Sequence, residues 1–99
     1  MKSDHEGWLD CRVSPGQFSV EYAVCGTLYN GGGFSLFAPC EDVECEGTPS
    51  WAGPVTGRLR VKILQEKDEK QLVRLPREAL ENGYFVTVKT DQVHRKTSV

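Results

Sequence analysis

The chain has 99 residues, 38% of them hydrophobic and 26% charged, the balance of an ordinary globular protein rather than a disordered or fibrous one. That length suits one domain, and a domain this small buries roughly 60–65% of the surface its unfolded chain exposes. A net charge of −2 argues against a dedicated nucleic-acid binder, which is usually strongly basic. No apolar run approaches the length of a membrane-crossing helix.

The charge is unevenly spread. Residues 1–50 hold two of the twelve Lys and Arg but eight of the fourteen Asp and Glu. Residues 1–7 are polar and lack the apolar stretch of a secretory signal. They are expected to be a flexible lead-in to one β-domain spanning 8–90, in a reducing, cytoplasmic setting.

A first strand is predicted at 8–13, with Leu9, Cys11 and Val13 on one face. Ser14-Pro15-Gly16 is a turn signal. A second strand is predicted from Phe18 to Tyr29, with Phe18, Val20, Tyr22 and Val24 facing alike and a bulge or kink at Gly26. Asn30-Gly31 then marks a hairpin into a return strand at 34–38. Residues 39–54 read as an irregular loop rich in acid, Pro and Gly.

Residues 56–65 carry the clearest alternation in the chain. Leu59, Val61 and Ile63 share one face, while Arg58, Arg60 and Lys62 share the other. A charged turn, a strand at 70–75, a helical turn at 76–82 and a last strand at 84–89 follow, with a flexible tail at 91–99. No internal repeat is evident. About six short antiparallel strands predict a small all-β barrel. A helical turn just before the final strand resembles SH3-like barrels more than the OB-fold. Val73–Leu80 also resembles the strand-Leu-Pro-helix element of the swapped-hairpin DNA-binding fold, but too few residues separate Pro76 from Gly83 for that family's helix and loop.

The candidate chemistry is sparse. Cys40 and Cys45 have four residues between them and Cys11 and Cys25 have thirteen, unlike the paired short knuckles of a zinc site. Cys40 and Cys45 are weak metal candidates, and Cys40 with Cys45 or Cys11 with Cys25 would form a disulfide in an oxidising setting. His5 and His94 lie in the expected tails, away from any nucleophile. Glu41, Asp42, Glu44 and Glu46 do not match a calcium loop, and the Gly31–Gly33 run lacks the Lys-Ser/Thr of a phosphate loop. No catalytic constellation is recognisable and no cofactor is implied.

Recognition is the stronger expectation. Trp51 stands in a loop with little apolar company, as either a binding anchor or a plug for one end of the barrel. Arg58, Arg60 and Lys62 would steer and orient an acidic protein partner beside it. The alternative is a single-stranded nucleic-acid binder using the same cations, with Tyr84 or Phe85 for stacking. An enzyme assembled from distant residues, or a zinc-stabilised domain, is a second alternative. The ending Thr97-Ser98-Val99 resembles a ligand of PDZ domains.

Overall fold

A computed structural model describes residues 5–95. Eight strands are joined by turns and two short 3-10 segments. They are β1 (His5–Pro15), β2 (Glu21–Thr27), β3 (Gly33–Pro39), β4 (Val43–Cys45), β5 (Val55–Lys67), β6 (Lys70–Ala79), β7 (Gly83–Lys89) and β8 (Val93–Arg95). All pairings are antiparallel, in the order β3-β2-β1-β5-β6-β7, with β4 on β5 and β8 on β1. The sheet curls into a half-barrel. Its two hairpin ends meet there, where the Tyr29 N–H donates to the Thr87 carbonyl and the Leu80 N–H to the Ser35 carbonyl.

The all-β class expected from the alternation is what the chain forms, with several corrections. The helical turn at 76–82 is absent: β6 continues to Ala79 before a plain turn. Pro76 cannot donate to a ladder, and the β6·β7 pairing is interrupted between Arg74 and Ala79, so the proline sits where no bond is required of it. Gly26 makes no bulge. Its register runs on unbroken opposite Phe34, whose ring a Cβ on Gly26 would meet at 2.6 Å. The irregular loop at 39–54 contains a 3-10 turn (Cys40–Asp42) and β4. The boundaries move outward too, since His5 opens β1 and β8 lies beyond residue 90.

Phe18 and Val20 are not in a strand. They belong to the turn before β2 and point to solvent. The Asn30-Gly31 hairpin forms as expected, with Gly31 at φ 94° and the Gly32 N–H on Asn30 Oδ1.

A repeat emerges that was not evident in the sequence. β1 pairs β5 with Leu9 opposite Leu59, so residues 50 apart exchange places about that pair. β3 and β7, the two 3-10 turns, and β4 and β8 are offset by the same 50 residues. Val43 pairs with Leu59 and Val93 with Leu9. Hydrogen bonds repeat as well. The Cys40 N–H reaches the Val20 carbonyl and the Thr90 N–H the Glu69 carbonyl, while Cys40 Sγ lies 3.7 Å from the Ser19 carbonyl and Thr90 Oγ1 lies 3.5 Å from that of Asp68. Each half is closed by the other, because β4 of the first pairs with β5 and β8 of the second with β1.

The alternation explains the core. Leu9, Val13, Leu59 and Val61 face inward from the central ribbon against Val24, Leu36, Val73 and Val88. Leu9 and Leu59 are both 0% exposed, each burial contributing roughly 1.5–3 kcal/mol. Gly57 lets β4 and β1 close on β5: a Cβ there would lie 2.6 Å from the Glu44 carbonyl oxygen and 2.6 Å from Val13 Cγ2. Its counterpart Gly7 would meet only side-chain carbons, at 3.0 Å, and the His94 carbonyl oxygen at 3.3 Å. Gly57→Ala is therefore expected to lower stability by about 1–3 kcal/mol, and Gly7→Ala by less, because side-chain ends yield where a carbonyl does not. Urea denaturation of the two variants checks this; equal losses would contradict it.

Candidate recognition surface

The central ribbon presents a polar outer face. Alternation puts Trp8 and Asp10 of β1, Arg58 and Arg60 of β5, Glu44 of β4 and His94 of β8 on the same side. They form two rows related by the 50-residue offset. In the first, Arg58 lies between Glu44 and Asp10; in the second, Trp8 lies between Arg60 and His94. One row places a cation between two acids, the other an aromatic ring between two basic groups.

The expected cations do face outward from β5, and the fold sets carboxylates against them. Arg58 Nε lies 3.5 Å from Asp10 Oδ1, and His94 Nε2 is 2.9 Å from the same oxygen. Arg60 stacks on Trp8, with its guanidinium carbon 5.3 Å from the ring centroid. Its Nε is 3.5 Å from Asp42 Oδ1, and its Nη2 donates to the Glu41 carbonyl at 3.2 Å. Lys62 stands opposite Glu6 in the ladder. Exposed ion pairs of this kind contribute about 0–1 kcal/mol each. Their main effect is to neutralise the row. Asp10 and Asp42 supply the carboxylates for Arg58 and Arg60, while the Glu21 carboxylate accepts the Gln17 N–H. His94 is no tail residue, because β8 brings it onto β1.

Trp51 is 83% exposed, in a turn between Gly47 and Gly53, both of positive φ. The plug reading is corrected: the ring closes nothing. Tyr84 is partly exposed beneath the Arg74 guanidinium, 4.9 Å from its centroid, and Phe85 beside it is exposed. These aromatics lie on β7, at the far end of the strand order from β3. Residues 97–99 lie outside the described residues.

The four cysteines are free thiols of unequal exposure. Cys11 is buried on β1, and burial pushes its thiol up to about 12, with Cys45, Cys25 and Asp10 adding to the effect. Burial, then Cys40, raises Cys45. Burial likewise raises the Tyr22 phenol, with help from Cys40 and Cys45. Raised thiol values oppose thiolate formation, which both nucleophilic and metal-binding cysteines need. Among the described residues no three His, Cys, Asp or Glu converge as a metal site, and no helix is long and apolar enough to cross a membrane.

No protein-family model, no curated protein and no solved structure matches this chain.

Cys11 yields a pH dependence with a definite sign. Its thiol is half-ionised near pH 9 in the unfolded chain and only at about 12 in the folded one, so as pH rises through 9 the unfolded state holds fewer protons and stability falls. Cys11→Val places there the residue found at the equivalent position, Val61. Its melting temperature is expected to drop less than the native chain's between pH 8 and 10.5. Parallel drops would contradict the assignment.

Proposed function

We propose that this domain is a non-enzymatic recognition module of the cytoplasm that binds another protein, with Trp51 as its anchor and the mixed-charge face of β5 beside it. The carrying observation is that Trp51 is 83% exposed while its loop leaves β4 and enters β5 within the folded sheet. A tryptophan buries roughly 150–250 Å² when covered, and such residues dominate binding energies because they lose little entropy on docking. The four free thiols support a reducing compartment. The SH3-like description draws on a helical turn at 76–82 that the chain does not form, so the reading needs only the small all-β barrel.

The compensated row supports a protein partner over a phosphate chain. Asp10 and Asp42 beside Arg58 and Arg60 offer alternating donors and acceptors, whereas a nucleic-acid groove keeps its cations for phosphates. The exposed Tyr84 and Phe85 favour the second reading, a single-strand binder using aromatic stacking.

Peptides selected from a random phage-display library on the native chain separate the two. Trp51→Ala is expected to weaken their binding by about 2 kcal/mol or more, while the melting temperature stays unchanged and affinity responds weakly to salt. Binding of a single-stranded oligonucleotide that falls log-linearly with salt, depends on Tyr84 and ignores Trp51 would overturn the proposal in favour of the second reading.

A further inference from the structure

The repeat supplies an internal control for the surface. The turn between β1 and β2 and the turn between β5 and β6 are equivalent: each offers two carbonyls to the 3-10 turn that follows the third strand of its half. Ser19 and Val20 serve Cys40, as Asp68 and Glu69 serve Thr90. In the second half the turn is tight, with Lys67 paired to Lys70 and only Asp68 and Glu69 between them. In the first half it spans residues 16–20 and includes Phe18. The side chains have also changed character. Val20 stands where the other turn has Glu69, and the longer loop projects Phe18.

Backbone carbonyls do the structural work at both turns, and two acidic residues suffice for it in the second. The fold therefore has no need of apolar side chains in the first. Yet Phe18 is 68% and Val20 72% exposed. One exposed apolar side chain is ordinary, but several grouped together mark a contact surface, and Phe18 and Val20 share one turn.

The location joins this turn to Trp51. Val13, close to the end of β1, pairs with Val55 at the start of β5. The Phe18 turn, which follows β1, and the Trp51 loop, which precedes β5, thus leave the same end of the central ribbon. Residues 39–54, which contain Trp51 and reach the Phe18 turn through the Cys40 N–H on the Val20 carbonyl, carry Glu41, Asp42, Glu44 and Glu46 and no Lys or Arg. Asp42 is engaged by Arg60 and Glu44 stands opposite Arg58; Glu41 and Glu46 are exposed. Apolar tips within an acidic surround complement a ligand of the opposite charge.

We infer that Phe18 and Val20 form a second anchor beside Trp51, and that this end of the barrel takes a protein segment bearing apolar side chains flanked by Lys or Arg. The inference rests on the protein-binding reading proposed above and adds a location and a charge sign to it. It reverses the acidic partner expected from the strand cations, because those cations face carboxylates of their own chain while Glu41 and Glu46 of the loop stay exposed.

The test uses the full chain and peptides selected on it from the same random phage-display library. The comparison variant is Phe18→Ser with Val20→Glu, which gives the first turn the polar character of the second. The enriched peptides are expected to carry Lys or Arg next to aromatic or aliphatic residues. Their affinity is expected to fall at least tenfold in the double variant, with circular dichroism and melting temperature unchanged. Peptides rich in Asp or Glu, or peptides that lose affinity with Trp51→Ala but bind the double variant normally, would overturn this inference and leave the Trp51 anchor standing. No enrichment, or binding indifferent to both variants, would overturn both readings. A melting temperature lowered by several degrees in the double variant would show that the two side chains serve the fold, and would overturn the inference as well.

Discussion

The pairing of β1 with β5 is the constraint on which the rest of the molecule depends. Leu9 and Leu59 face each other at its centre, both fully buried, and every other strand is attached to one of these two or to a neighbour already attached. A slip of one residue would turn each inward Leu and Val to water and each outward charge into the core. Burial thus enforces the register, and the register in turn decides which residues meet on the outside. Gly57 and Gly7 let β4 and β8 come close enough to close the two flanks.

The outer face follows from the same geometry. Asp10 meets Arg58 and Trp8 meets Arg60 because the core residues between them are held in place. Their attraction is worth little to stability at this exposure, so these pairs shape the surface rather than hold the fold. Since the two halves share one backbone plan, a position can be read against its counterpart. Where both copies keep an apolar residue, as at Leu9 and Leu59 or Val43 and Val93, the fold requires it. Where one copy is charged and the other apolar and exposed, as at Glu69 and Val20, the fold does not.

Much of this was legible in the sequence. Strict alternation at 56–65 placed a core face and a cationic face correctly, since period-two burial is a local signal. The Asn30-Gly31 turn was equally local. The contents of 39–54 and the ends of the domain were not legible, because three-residue strands such as β4 and β8 owe their existence to partners far away in the chain. Val93 is a strand residue only because Leu9 is beside it. The apparent helical turn at 76–82 rested on propensity; β6 instead stays extended to Ala79, tied there by the Ala79–Gly83 pair and by the Leu80 N–H on the Ser35 carbonyl.

The repeat is faint in the sequence because its residues are similar in kind more than in identity. Gly7-Trp-Leu9-Asp-Cys11-Arg-Val13 and Gly57-Arg-Leu59-Arg-Val61-Lys-Ile63 share two identities in seven positions. Matched small, apolar and basic classes fill three of the others. A one-residue register shift between Ile63 and Gln65 and a longer first turn then shift the frame between β2 and β6. The carboxylate partners of the cations were hidden for a different reason. Alternation tells which way a side chain points, but not which strand lies next to it.

That each half is completed by the other is the central claim, and native-state hydrogen exchange tests it most directly. The amides of Leu9 and Val24 in one half and of Leu59 and Val73 in the other are expected to exchange only through global unfolding, with one common free energy and one denaturant dependence. Strands β1–β3 opening as a unit at distinctly lower free energy than β5–β7, or the reverse, would contradict it.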